Sequence, residues 1–104
     1  MKYDVTQELM LFNGQTAKMN DGEVQRDMTL RDAIEIACLN APNDIVKTGE
    51  QKHKLFQVLD RVHSAEDVTE LSAEEVTLVK RVAGELFTVA LVGAVYKALE
   101  SAAG

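Results

Sequence analysis

Residues 72–101 read SAEEVTLVKRVAGELFTVALVGAVYKALES, and the rest of the chain has to be built around them. Ser72 followed three residues later by Glu75 is a capping box, in which each side chain satisfies a backbone amide of the other and a helix begins at Ala73. From Leu86 to Ala98 the only charge is Lys97 and there is no proline. That half is expected to be the most buried element of the fold. It is too short to span a bilayer, which takes about 20 mainly apolar residues, because Glu85 lies on one side and Lys97 and Glu100 on the other. A bend or break is expected near Phe87 and Thr88.

The chain has 104 residues, of which 46% are apolar, so it can bury one core of ordinary size and reads as a single domain over 1–104. A net charge of −6 argues against a nucleic-acid partner, since phosphate binding draws on clustered Lys and Arg. Cys38 is the only cysteine and cannot make an internal disulfide. MKYDVTQELM shows no signal-peptide pattern, so a cytoplasmic location is expected.

Upstream, Val5, Leu9 and Leu11, with Met10 and Phe12 offset, alternate unevenly and run into Asn13-Gly14, a strong two-residue hairpin signal. Asn20-Asp21-Gly22 marks a second turn. A β-hairpin or short three-stranded meander over about 5–28 follows, and since a lone ribbon is marginal in water it should lie on helices or pair with a second copy.

The helical region begins at about 29, where Thr29 with Asp32 forms a looser capping pattern, and runs to about 102. Leu30, Ala33, Ile34, Ala37 and Cys38 make one apolar stripe, while Ile36 and Leu39 fall on the side of Asp32 and Glu35. This helix therefore has two apolar faces. Pro42 ends it soon after Asn40. Thr48 and Gln51 cap a second helix reaching His63, with Leu55, Val58, Leu59 and Val62 inward and Glu50 spaced to pair with Lys54. In the acidic connector from Ser64 to Leu71, Val68 and Leu71 should anchor to the core and leave Glu66, Asp67 and Glu70 outward. The fold class is α+β and mainly helical: an N-terminal hairpin region, then three to four packed helices.

The sequence names no reaction. His53 and His63, ten residues apart on one helix, point to different sides, and no Cys or carboxylate spacing completes a metal site. Cys38 on an apolar stripe reads as a small hydrophobe, not a nucleophile. The glycines are dispersed and supply turns and packing, not a phosphate-cradling loop. No catalytic, cofactor-binding or metal-binding residue is assigned, and neither metal nor nucleotide is expected to be required.

Two surface features remain. Glu66, Asp67, Glu70, Glu74 and Glu75 contain no Lys or Arg among them; either they favour the helix start electrostatically or they dock a basic protein surface. Ala90, Ala94 and Ala98, with Gly93 beside them, form a strip of small side chains that lets another helix approach, from the same chain or a second subunit. Apolar residues on two sides of the first helix, at Ile36 and Leu39, and all round the last make a homo-oligomer the expectation.

The run LFNGQ, the NDG turn, MTLRDAIEIACL, ELSAEEVTLVKRVAG and VALVGAVYKALES resemble small proteins encoded by bacteriophages and prophages. Those relatives join an L-x-G turn and a TLRD helix start to an LSAEE helix and a closing helix; here Ala94 stands where a polar residue precedes their aromatic. The resemblance covers most of the chain and implies a phage or prophage setting in a bacterial host, with no catalytic residues to carry over. Within that setting, the acidic edge and the helical surface make a non-enzymatic accessory protein acting by protein–protein interaction the expected function. A virion or tail assembly factor is the alternative, and a small enzyme would need a pocket joining Cys38 to a histidine and a carboxylate. No membrane partner is expected.

Overall fold

The computed structural model describes residues 1–101. The elements run β1 (Lys2–Asp4), β2 (Lys18–Asp21), β3 (Val24–Asp27), α1 (Leu30–Leu39), α2 (Gly49–Ser64), β4 (Val68–Glu70), α3 (Ala73–Leu86) and α4 (Val89–Glu100). The fold is α+β and mainly helical, with two small antiparallel sheets, β1–β4 and β2–β3.

Each helix starts where its capping residue demands. Thr29, Thr48 and Ser72 accept from the amides of Asp32, Gln51 and Glu75, and those side chains accept in return from the cap amides, so three capping boxes are complete. The expected break falls at Phe87 and Thr88: Phe87 ends α3 in extended geometry and Thr88 caps α4.

α1 lies at the centre and packs against α2, α3 and α4. Its inward stripe of Leu30, Ala33, Ile34 and Ala37 is buried, and it meets Val58 and Val62 of α2 and Val79, Val82 and Ala83 of α3 in one continuous core. A fully buried Val, Leu or Ile stabilises by about 1.5–3 kcal/mol, so these positions carry the fold. α3 and α4 approach closely at Gly84, where a Cβ would stand 2.9 Å from the Tyr96 hydroxyl. That hydroxyl donates to the Lys80 carbonyl at 2.7 Å.

The N-terminal segment is laced between two other parts of the chain. β1 pairs with β4 in the register Lys2–Glu70, Tyr3–Thr69 and Asp4–Val68, and Leu71 N–H donates to the Met1 carbonyl. Further on, Leu30 and Arg31 donate to the carbonyls of Gln7 and Val5. Leu9, Ala17 and Met28, all buried, close a triangle: Leu9 donates to Met28, Met28 to Ala17 and Ala17 to Leu9, at 3.0, 2.7 and 2.8 Å. Tyr3, itself buried, donates its hydroxyl to the Leu99 carbonyl at 2.7 Å and so ties β1 to the end of α4.

Several expectations are corrected. The stretch Leu86 to Ala98 is not the most buried element: Val89 and Gly93 are exposed, and within it only Ala94, Val95 and Ala98 are buried, because α4 lies at the edge and needs one inward face. Asn13-Gly14 does not join two strands. It closes a turn in which Gly14 donates to Leu11 and takes a φ of +83°, flanked by a single bridge between Met10 and Thr16. The hairpin proper is β2–β3, with Asn20 and Asp21 inside β2 and the turn at Gly22-Glu23, where Gly22 has the positive φ that a two-residue loop requires. Strand structure begins at Lys2, not near 5, and the helical region is interrupted by β4, which turns Thr69 inward and leaves Val68 exposed. Leu59 is only half-buried. Lys54 pairs with Glu74 of α3, which lies across the helix interface, instead of with Glu50.

Two buried carboxylates lock elements together. Asp32 accepts from Arg26 Nη1 and Nη2 at 2.8 and 2.9 Å, joining the hairpin to α1; Glu75 pairs with Arg61, joining α2 to α3. Burial alone would raise both carboxyls, but for Asp32 the bonds from Arg26 and Thr29, and for Glu75 those from Ser72 and Arg61, outweigh it and hold them below their usual range. A depressed folded-state pKa gives stability that is present above the unfolded value and lost as pH falls through the folded one. Urea midpoints are therefore expected to be level at neutral pH and to fall below about pH 4, more gently in Asp32→Asn. The same titration checks Tyr3→Phe, expected to cost about 1–2 kcal/mol at all pH values by leaving the Leu99 carbonyl unpaired.

Candidate protein-binding surfaces

α1 and α2 cross so that their outward sides form an apolar saddle. Leu39, at the last turn of α1, is 70% exposed and Phe56, on α2, is 58% exposed. With Leu59 they line two adjoining hollows of about 300 and 350 Å³. Cys38, Ala41 and Lys52 border one; Glu35, Asp60 and His63 border the other, with His63 Nδ1 and Glu35 Oε1 2.9 Å apart. His53 stacks on Phe56, ring centres 6.4 Å apart. Ile36 is half-buried, so of the two α1 residues singled out in the sequence, Leu39 is the one that reaches the surface.

A second apolar surface lies between α4 and the turn before β2. Met10, Leu11 and Phe12 face Val89, Ala90, Gly93, Ala94 and Lys97 across a groove of about 510 Å³. Phe12 is 90% exposed and Val89 92%. The small strip divides here: Ala94 and Ala98 are buried, Ala90 is half-buried, and Gly93 is exposed, with nothing within 4 Å of where its Cβ would be. Within the chain, Gly84 rather than Gly93 permits close helix contact.

The acidic residues separate in the same way. Glu66, Asp67 and Glu70 are exposed along the edge containing β4. Glu74 is paired with Lys54 and Glu75 with Arg61, so compensating cations invisible in the local sequence are supplied by α2. Arg31 Nη2 and Arg61 Nη1 donate to the Glu66 and Glu70 carbonyls at 2.9 Å, fixing the backbone of that edge and leaving the carboxylates outward.

Sequence reading missed Phe12, Val89 and Phe56 as surface features. Phe56 lies off the inward stripe of Leu55, Val58 and Val62 by one helical step, which was a usable signal. Phe12 stands directly before a turn, where a large aromatic has little to cover it.

No group of three His, Cys, Asp or Glu side chains among the described residues is placed to hold a metal ion, and none of their helices is long and apolar enough to cross a membrane. No family model, curated protein or solved structure matches the chain.

Burial, and secondarily the nearby Glu35 charge, push the Cys38 thiol up to about 12. The thiolate is the reactive form, so Cys38 is expected to resist iodoacetamide at pH 7.5 in the folded protein and to react promptly in denaturant, as read by intact mass. Fast alkylation of the folded form would contradict this placement.

Proposed function

We propose that this chain is a non-enzymatic accessory protein of a phage or prophage that acts in the bacterial host by binding another protein. The observation that carries the reading is the α1–α2 saddle: two large apolar side chains, Leu39 and Phe56, stand exposed side by side over a shared hollow. Solvating such a patch is unfavourable, and contiguous apolar surface rimmed by polar groups is the usual mark of an interaction site. The rim here is mixed, with Lys52 and Asp60 on either side, which suits an amphipathic element whose charges alternate.

Three further points support a binding role over catalysis. The hollow beside Cys38 is lined by neither a histidine nor a carboxylate, and burial raises the thiol's pKa where an activated nucleophile needs it lowered. Glu66, Asp67 and Glu70 offer a negative edge that can steer a basic partner toward the chain. The phage setting rests on the sequence resemblance alone.

Tagged protein incubated with host lysate, with and without infection, provides the test. A prey retained in stoichiometric amount by the wild type should be lost with Phe56→Glu, an exposed-site change the fold should tolerate. Replacing Glu66, Asp67 and Glu70 by lysine should weaken capture several-fold and reduce its salt sensitivity. An identical prey profile for wild type and Phe56→Glu would contradict the saddle as the binding surface.

A further inference from the structure

We propose that Asn13 is a site of self-modification, at which the backbone nitrogen of Gly14 closes a succinimide ring on the Asn13 side chain and converts it to isoaspartate or aspartate. The closed turn holds the reaction back, and each opening of the turn permits it.

Asparagine is among the chemically labile side chains, and which asparagine reacts is decided by the residue after it. The attacking atom is that residue's backbone nitrogen, and any side chain beside it crowds the approach to Cγ. The chain has four asparagines, Asn13, Asn20, Asn40 and Asn43, and all are exposed. They are followed by Gly14, Asp21, Ala41 and Asp44, so only Asn13 is offered an unhindered nitrogen. Apart from its chain neighbours, nothing lies within 4 Å of where a Gly14 Cβ would stand. Asn20 is further restrained opposite Gln25 in the β2–β3 ladder, and Asn40 by donating Nδ2 to the Ile36 carbonyl at 2.9 Å.

The step needs only water. The Gly14 nitrogen gives up its proton to solvent hydroxide and bonds to Asn13 Cγ; the Cγ–Nδ2 bond breaks, and Nδ2 takes a proton and leaves as ammonia. Water then adds to one of the two ring carbonyls. Opening at one restores an ordinary main chain with an aspartate side chain. Opening at the other routes the main chain through the side-chain carbon and lengthens it by a methylene, giving isoaspartate. Either product adds one negative charge to the net −6.

The native turn opposes this geometry. Gly14 N–H is directed onto the Leu11 carbonyl at 3.0 Å, and Asn13 Oδ1 accepts from Gln15 N–H at 3.1 Å, which draws the side chain forward. Attack requires the reacting atoms aligned and about 3–3.5 Å apart, with the Gly14 nitrogen released. Only these exposed bonds stand in the way. Each contributes a net of about 0.5–1.5 kcal/mol, and Phe12, 90% exposed, adds little packing. Local opening is therefore frequent. The triangle of Leu9, Ala17 and Met28 lies beyond the Met10–Thr16 bridge, so the core is kept while the lip of the α4 groove is reshaped. The result is an age-dependent, one-way change of surface at a fixed position.

The test ages the folded protein, and the same full chain in urea, at neutral and mildly alkaline pH. Peptide mass spectrometry with electron-transfer fragmentation reads the mass gain of NH2 exchanged for OH at each asparagine and tells isoaspartate from aspartate. In the folded chain Asn13 should convert at least about tenfold faster than Asn20, Asn40 or Asn43, a barrier lower by about 1.4 kcal/mol. Isoaspartate should be among its products, the rate should rise with hydroxide, and urea should speed Asn13 several-fold. Conversion at Asn13 no faster than at the other three, a product free of isoaspartate or a rate indifferent to pH overturns the modification site. An equal rate with and without urea overturns the control exerted by the turn.

Discussion

The backbone of residues 1–9 has to find hydrogen-bond partners, and the rest of the fold is arranged by how it does so. A buried amide or carbonyl left unpaired costs on the order of 1–3 kcal/mol, and in this segment Tyr3, Val5 and Leu9 are fully buried. The chain answers by running the segment between two parts distant in sequence: β4 and the residue before it on one side, and the entry to α1 on the other. The first joins the end of α2 to the start of α3, and the second is the start of α1. The N-terminal strand therefore fixes how the capped starts of α1 and α3 sit in space, and Tyr3, reaching the Leu99 carbonyl, ties the end of α4 to them.

With its ends held in this way, α1 occupies the centre and the other helices need only one inward face each. That is why apolar side chains remain on the outside. The core is filled by Leu30, Ile34, Val58, Val79 and Val82 with no room for Leu39, Phe56, Phe12 or Val89, whose exposure is a consequence of the closed core and not of loose packing. The two glycines of the last helical pair illustrate the division. Gly84 is spent inside the fold under the Tyr96 hydroxyl, whereas Gly93 has open space beside it.

The local features of the fold were legible because they depend on neighbours in sequence. Ser72 with Glu75, Thr48 with Gln51 and the Phe87-Thr88 break are decided within one helical turn, and each is found where its residues put it. The β1–β4 ladder was not legible: three residues at one end of the chain pair with three some 66 positions away, and neither run is long enough to show a strand period. The cations paired with part of the acidic run were not legible for the same reason, since Arg61 and Lys54 reach Glu75 and Glu74 only after α2 and α3 have packed. Of the candidate surfaces, Leu39 and Gly93 were visible as apolar or small residues out of phase with a buried face. Phe12 was not, because residue type alone does not tell an aromatic that covers a core from one that stands beside a turn.

The role of the N-terminal segment can be measured by native-state amide hydrogen exchange on the full chain. Amides of Val5, Leu9, Met28 and Leu71 should exchange only through global unfolding, with the same free energy of opening as the core of α3. Fast exchange at Val5 and Leu9 with slow exchange in α3 would contradict the N-terminal segment as the element that holds the helices in place.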